Sequence, residues 1–119
     1  MDDKVNLAGK ARQLDRPFLP GLVGRYNQNK IVVTRAHGEL VWHKHDDTDD
    51  LFVVLEGRLT LQLRDRDVIL EPGDLYVVPR GVEHCPRADE ETLVMLIEPD
   101  GTSNTGDAGG DLTAEPVEI

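Results

Sequence analysis

The sequence predicts an all-β domain, built as a sandwich or barrel of short antiparallel strands. From residue 30 onward the apolar residues follow the two-residue period of strands, most clearly in RLTLQLR (58–64), where three leucines alternate with polar residues. Turn signals separate the strands, as at Pro72-Gly73 and at PRG (79–81). At 119 residues the chain has the length of one domain. Many short strands separated by turns are typical of this fold class.

The N-terminal region has a different pattern from the strands that follow it. Residues 4–16 carry apolar side chains at roughly helical spacing and predict a short helix, which Gly9 weakens. Pro17, Pro20 and Gly21 end this helix and begin an irregular lead-in. The predicted strands, in chain order, cover residues 30–37, 39–45, 51–56, 58–64, 67–72, 74–79 and 92–99.

The chain therefore divides into three segments. Residues 1–29 are a lead-in that we expect to pack on the barrel, and residues 30–99 form the barrel itself. Residues 100–119 are an acidic, glycine-rich tail, and the part beyond about Gly106 is predicted to be mobile unless a partner orders it.

Two predicted strands, LFVVLE (51–56) and TLVMLIE (92–98), are apolar on both faces. One face can point into the barrel, but the other needs cover from a second sheet layer, the N-terminal segment or another subunit. We expect a partner subunit, and therefore a homodimer.

The charge distribution argues against nucleic acid as a partner. The net charge is −10, but 13 bases and 14 acids stand at or before Arg87, and the remaining nine acids follow it. The bases are scattered and form no patch. No apolar run could span a membrane, the N-terminus lacks the apolar centre of a signal peptide, and the lone Cys85 allows no internal disulfide. We therefore expect a cytoplasmic protein that binds neither nucleic acid nor membrane.

The stretch HKHDDTDD (43–50) concentrates metal-ligand chemistry in eight positions. His43 and His45 stand two apart, so in a strand their imidazoles share a face and can reach one point. Asp50, or alternatively Asp49, begins the next apolar strand, and a third imidazole comes from His84. Imidazole suits iron, manganese, nickel, copper and zinc. The HxH spacing alone leaves a solvated acidic loop as the other interpretation.

Two longer stretches strengthen the metal-site interpretation. GELVWHKHDDTDDLFVVLEG (38–57) and GDLYVVPRGVEHCPRA (73–88) resemble the two signature motifs of the cupin superfamily, in the form found in short single-domain cupins. The resemblance covers residues 30–98. It implies an antiparallel jelly-roll barrel, also called a double-stranded β-helix, and usually a homodimer. It also implies a metal ion held by three histidines and a carboxylate, which here are the residues His43, His45, His84 and Asp50.

Three positions depart from the motif pattern. The spacing from Gly38 to His43 is one residue short, and Ala88 replaces a terminal asparagine. Asp50 replaces a glutamate, and its carboxylate reaches roughly 1.3 Å less far. Either the strand sits closer to the site, or Asp50 binds through water, or only the histidines bind.

Other residues have less specific assignments. Strand parity with Asp50 and Asp74 makes Phe52, Val54 and Tyr76 candidates for contact with a substrate in the cavity. His37 has no partner in the pattern, and we expect a structural or surface role. Cys85 alternates with His84, so burial is expected. Catalytic residues beyond the metal ligands are left unassigned.

The resemblance implies a metalloenzyme that acts on a small organic molecule, of the dioxygenase, isomerase or lyase type. The cofactor would be a divalent transition metal, with iron, manganese, nickel and zinc all open. Few bases lie near the motifs, so a phosphosugar substrate is poorly supported. The alternative function is a non-catalytic domain that binds or senses a small ligand, and fold alone does not decide between the two.

Overall fold

The computed structural model describes residues 3–119, so Met1 and Asp2 of the predicted lead-in lie outside the described residues. One short helix and eight strands make up the described chain, which confirms the all-β class. The elements are α1 (Leu7–Ala11), β1 (Gly21–Tyr26), β2 (Asn29–Glu39), β3 (Asp50–Glu56), β4 (Leu59–Leu63), β5 (Asp67–Leu70), β6 (Leu75–Val78), β7 (His84–Pro99) and β8 (Val117–Glu118).

Strand β7 is the centre of the architecture. It pairs antiparallel with β2, β3 and β4, and the sheet continues in the order β5-β4-β7-β2-β1-β8, while β6 pairs with the outer side of β3. The sequence predicted a strand only over 92–99, because the polar run Arg87–Glu91 interrupts the apolar pattern. The structure extends the strand back to His84, and a register shift in its pairing with β2 falls between Ala36 and Gly38.

Two further segments differ from the sequence prediction. Residues 40–45 were expected to belong to a strand over 39–45, but they are part of a loop over 40–49 whose one isolated bridge joins His43 to His84. The region predicted as an irregular lead-in contains β1, which pairs with β2 from Gly21↔Val33 to Tyr26↔Asn29. Backbone pairing therefore overrides the Pro and Gly signals at this point.

Two apolar clusters hold the fold together. The inner cluster lies between the sheet faces and includes Phe52, Val54 and Leu61. The outer cluster lies between α1 and the sheet and includes Ala11 and Val33, both with no exposed surface. The predicted helix over 4–16 is thus shortened to five residues, and its buried side gives the outer face of β2 and β7 part of the cover that they need.

The C-terminal segment packs against the rest of the domain, and its mobility beyond Gly106 stays a prediction. The backbone of Val117 donates to the carbonyl of Pro20, and β8 adds a short parallel strand to β1. Ala114 and Ile119 contact the outer cluster. The overall acidic, glycine-rich composition conceals these few apolar anchors, which is why the average character of the segment predicted a free tail.

Within residues 3–119, no helix has the length and apolar character that crossing a membrane requires.

Candidate metal centre

The four predicted ligands come from three places in the chain and converge inside the barrel. His43 and His84 are joined by two backbone hydrogen bonds, of 3.0 and 2.9 Å between nitrogen and oxygen. His45 follows in the same loop, and Asp50 is the first residue of β3. All four side chains are buried, with exposed fractions of 2%, 8%, 3% and 1% for His43, His45, Asp50 and His84.

The atoms available for ligation lie at distances suited to one ion. One nitrogen or oxygen from each side chain lies within 4.8 Å of each of the others. The Oδ2 atom of Asp50 is 3.3 Å from Nε2 of His45 and 3.4 Å from Nε2 of His84. Two ligands about 2.1 Å from one ion are about 3.0 Å apart at adjacent octahedral positions and about 3.4 Å apart in a tetrahedron. The short carboxylate of Asp50 therefore reaches the cluster directly.

Backbone carbonyls fix the orientation of two imidazoles. Nδ1 of His43 lies 2.8 Å from the carbonyl oxygen of Val41, and Nδ1 of His84 lies 3.0 Å from that of Val82. A carbonyl can only accept, so each Nδ1 carries the proton and each Nε2 presents a lone pair to the cluster. A hydrogen bond of this kind from the distal ring nitrogen is the usual support of a metal-binding histidine.

The same hydrogen bonds leave acceptors without donors. Nε2 of His84 and Oδ1 of Asp50 are buried and have no hydrogen-bond partner among the described residues. The 3.4 Å separation between His84 Nε2 and Asp50 Oδ2 places a lone pair against a carboxylate. Such an arrangement costs free energy unless a cation or a proton lies between the two atoms. The donor set and its unpaired atoms therefore fit a divalent transition metal.

Burial and mutual charge shift the acid–base equilibria of the cluster. Desolvation lowers the pKa of His43 to about 4, which keeps its imidazole neutral and available as a ligand near neutral pH. Desolvation also acts on His45, but the hydrogen bond and charge of Asp50 outweigh it and raise the pKa. Burial would raise the pKa of Asp50, yet the imidazoles of His45 and His84 beside its carboxylate hold it below the ordinary value.

The neighbouring candidates fall outside the cluster. Asp49 is exposed and its Oδ1 accepts a hydrogen bond from the backbone of Arg80 at 2.9 Å. His37 is exposed, as expected for a histidine without a site role. Cys85 is completely buried, and desolvation raises the pKa of its thiol to about 11. The carboxylate predicted from parity, Asp50, is thus the one that the structure brings to the histidines.

The cluster lies on the wall of an internal cavity. The cavity has a volume of about 50 Å³ and is partly open to solvent. Three of the four cluster residues line it together with a mainly apolar set of side chains. The lining residues are Phe18, Pro20, Val32, Thr34, Ala36, Leu40, His43, His45, Asp50, Phe52, Leu59, Pro86, Val94, Leu96, Glu98 and Asn104.

Of the three predicted substrate contacts, only Phe52 lines this cavity. Val54 shares its face but lies deeper in the core with no exposed surface. Tyr76 is paired with Phe52 across β3 and β6, and its hydroxyl points to Arg66, whose guanidinium donates to it at 3.4 Å. Parity predicts the face of a residue but not its depth along the strand, so we keep Phe52 alone as a candidate contact.

Sequence reasoning missed one charged residue of the cavity wall. Glu98 is 5% exposed and stands on β7, on the same face as Val94 and Leu96. Desolvation is the main influence on Glu98 and raises its pKa to about 7, helped by the charge of Asp50 and opposed by Lys30. Strand parity from Val94 could have found this residue, but a glutamate at a strand end usually faces solvent.

Comparison with known proteins gives one family. The chain matches the sequence model of the cupin domain over residues 31–98. The solved structure of a cupin-2 domain containing protein from Shewanella frigidimarina is 39% identical and covers 80% of this chain and 93% of that protein, with a TM-score of 0.77. These similarities place the strands described above in the jelly-roll barrel fold.

Two curated proteins extend the comparison. The uncharacterized protein YdbB of Bacillus subtilis is 28% identical over 99 residues, which is 82% of this chain and 88% of that protein. The 3-hydroxyanthranilate 3,4-dioxygenase of Bos taurus is 26% identical over 88 residues. That match takes in 68% of this chain but only 31% of the bovine enzyme.

Proposed function

The chain belongs to the cupin domain family, and on that premise we propose that it is a metal-binding cupin that acts as a metalloenzyme on a small organic molecule. The reaction types that fit are those of a dioxygenase, an isomerase or a lyase. The observation that carries the proposal is the buried set of His43, His45, Asp50 and His84 beside a cavity, in which Nε2 of His84 and Oδ1 of Asp50 have no hydrogen-bond partner among the described residues.

Each side chain of the set has a separate task. His43 and His84 present Nε2 because Val41 and Val82 hold their Nδ1–H groups. Asp50 contributes the negative charge that partly balances a dication. A bound iron, manganese, nickel or zinc ion would supply Lewis-acid polarisation of a substrate oxygen, and iron or manganese could also support reaction with dioxygen. The apolar remainder of the wall, such as Phe52, would exclude water and hold the carbon skeleton.

Dioxygenase chemistry is the first reaction type to test. The bovine relative carries that activity in its name. All four cluster residues lie within residues 31–98, which match the cupin domain. The apolar cavity suits a small aromatic or aliphatic body better than a strongly anionic one, because Asp50 and Glu98 already place two carboxyl groups there.

The test combines metal analysis with oxygen uptake. Protein reconstituted with each metal and dialysed against a mild chelator should retain close to one ion per chain by mass spectrometry. An oxygen electrode then measures consumption against a panel of hydroxylated aromatic acids and small diols. The matched controls are His84→Ala, which removes a ligand, and His37→Ala, which removes an exposed histidine. Retention of metal without turnover of any substrate would favour the non-catalytic binding domain, and loss of metal from the wild-type protein would refute the proposed site.

We also propose that the protein acts as a homodimer through the outer face of β6, β3 and β7. Leu75 and Val77 are 56% and 39% exposed. Register places Leu75 beside Val53 and Val77 beside Leu51, and both β3 residues are only half-buried. The helix α1 covers the neighbouring part of the sheet around Val33. A contiguous apolar patch of this kind is typical of a subunit contact.

A further inference from the structure

The buried pair of Lys30 and Glu98 has no part in the four-residue cluster. Their exposed fractions are 6% and 5%, and Nζ of Lys30 lies 3.7 Å from Oε1 of Glu98. Lys30 also donates a hydrogen bond of 2.8 Å to the carbonyl oxygen of Thr102. A buried ion pair contributes little to stability because desolvation offsets its attraction, so a purely apolar pair would serve the fold at least as well. The pair therefore calls for a role other than stability.

The structure directs the carboxyl group of this pair toward the cavity. Glu98 is among the residues that line it, whereas Lys30 is held behind the wall by Thr102. The pairing of Leu51 with Ile97, continued by one residue, puts Glu98 beside Asp50 on neighbouring strands with both side chains on the inner face. The wall thus has one polar group next to the metal-site cluster and distinct from it.

The other polar side chains of the wall outside the cluster, Thr34 and Asn104, already have partners. The amide group of Asn104 donates to the carbonyl of Leu112 and accepts from the backbone of Ala114. The hydroxyl of Thr34 donates to the carbonyl of Leu19 at 3.1 Å. Around Glu98 and Thr34 the wall is apolar, with Val32 and Leu96 next to them. A ligand in this cavity therefore meets a strong hydrogen-bond acceptor at Glu98 and hydrophobic contact elsewhere.

We propose that Glu98 orients the ligand of this cavity by accepting a hydrogen bond from a hydroxyl or amino group, while a second oxygen of the ligand faces His43, His45, Asp50 and His84. This inference rests on the proposed function and deepens it by naming the ligand class. The ligand is a compact, mainly apolar molecule with an oxygen for the metal ion and, a few atoms away, a hydrogen-bond donor. Lys30 is a positioning residue, since it holds Glu98 and does not line the cavity.

Matched pairs of probes test whether a donor is recognised. The probes are 2-, 3- and 4-hydroxybenzoate and the corresponding methoxybenzoates, in which a methyl ether replaces the donor. The protein is loaded with zinc, which does not change oxidation state, so binding is measured by calorimetry without turnover. In the wild-type protein at least one hydroxybenzoate should bind about tenfold tighter than its methoxy partner, as expected when the methyl ether removes a hydrogen bond to the carboxyl group of Glu98.

Three variants separate orientation from folding. Glu98→Met removes the acceptor at similar volume and should reduce the preference for the hydroxyl probe to within about twofold. The double variant Lys30→Met/Glu98→Met removes both charges, so that no unpaired charge is left buried, and should behave in the same way. Glu91→Met is the control, since Glu91 also lies on β7 but is exposed and contacts Arg35. The control should keep the wild-type preference.

Metal content is measured first, so that the two proposals fail in different ways. If the wild-type protein binds no metal, the proposed function falls and this inference falls with it. If both Glu98 variants fold but lose the metal, Glu98 is a ligand of the ion and the orienting role is wrong. If they keep both the metal and the wild-type probe preference, the orienting role is refuted while the proposed function stands. If no probe binds to the zinc-loaded protein, the ligand class is wrong.

Discussion

Gly106 ties the C-terminal segment to the first histidine of the metal centre, and an alanine at this position should loosen both. Its φ angle is +52°, a left-handed conformation that costs a residue with a side chain about 1–2 kcal/mol. A Cβ atom here would lie 2.3 Å from the carbonyl oxygen of Lys44 and 2.9 Å from Cδ2 of His43. The first contact is with backbone, so the segment itself must move away.

That movement breaks identifiable contacts. The backbone of Lys44 donates to Oδ1 of Asp107 at 2.9 Å, and the backbone of Asp107 donates to the carbonyl of Lys44 at 3.2 Å. The backbone hydrogen bond between Asp107 and Lys44 contributes about 0.5–1.5 kcal/mol. Together with the left-handed strain of about 1–2 kcal/mol, its loss in Gly106→Ala should weaken the docking of the segment by about 1.5–3.5 kcal/mol. The ring of His43 also loses a neighbour that limits its position, so metal affinity should fall.

The control is Gly109→Ala in the same segment. Gly109 has a φ angle of +66°, but a Cβ atom there would meet no described atom within 4 Å. It should cost only the backbone strain, about 1–2 kcal/mol, and leave metal affinity unchanged. Urea unfolding measures the stability of both variants, limited proteolysis measures release of the segment, and a competing chelator measures metal affinity. Equal stability, equal cleavage and equal affinity in the two variants would refute the docking of Gly106 against His43.

Three further outcomes are expected. His84→Ala should lose stoichiometric metal binding, as measured by mass spectrometry, whereas His37→Ala should retain it. Full retention of metal by His84→Ala would refute the proposed site. In the metal-free protein, the unfolding free energy of the wild type relative to Glu98→Gln should fall as pH rises from about 4.5 to about 7. Burial is the main reason that the pKa of the folded Glu98 carboxyl is raised to about 7, so the folded protein keeps a proton that the unfolded chain releases. The unfolding free energy of the wild type relative to the variant should therefore fall by up to about 3 kcal/mol over this range. If chemical denaturation showed this free-energy difference rising with pH, the raised pKa would be wrong. Light scattering at micromolar concentration should give a mass of about twice the 13.2 kDa of one chain. Leu75→Asp should halve this mass, whereas the control Ile69→Asp, at an equally exposed apolar site on β5, should not. A monomer mass for the wild-type protein would refute the dimer proposal.

Local pattern was sufficient for most of the barrel. The alternation in residues 58–64 predicts β4 within a residue of its bounds, and the apolar run 51–56 predicts β3. In both, the period of the side chains and the pairing of the backbone agree, so no tertiary information is needed. The grouping of His43, His45 and His84 also followed from sequence, since the two motifs carry spacing that a single HxH does not.

The remaining features depend on contacts between distant parts of the chain. Strand β1 follows two prolines and begins at a glycine, and it forms because β2 offers an unpaired edge. Glu98 looks like a solvent-exposed strand end until the pairing of β3 with β7 fixes which way it faces. The C-terminal segment is acidic in composition, yet its Ile119 packs closely against Gly21. A Cβ atom on Gly21 would lie 2.5 Å from Cδ1 of Ile119. The composition and hydrophobic periodicity of a segment describe that segment alone. These three features depend instead on the other part of the chain that each segment contacts.

Asp50 shows how a long-range contact can correct a prediction drawn from side-chain length. A glutamate would carry its carboxylate roughly 1.3 Å farther from the backbone, and on that ground Asp50 looked too short. However, β3 begins at Asp50 itself, where pairing with Val78 of β6 fixes its backbone, and the bridge between His43 and His84 fixes the imidazoles opposite. The gap that remains is 3.3–3.4 Å from Oδ2 to two imidazole nitrogens, about the separation of two ligands on one ion. Since the backbone already supplies the reach, a longer side chain would have to fold back to occupy the same place. This geometry favours the first of the three alternatives that the sequence left open, a strand that sits closer, and direct binding of the metal by Asp50 stays a prediction.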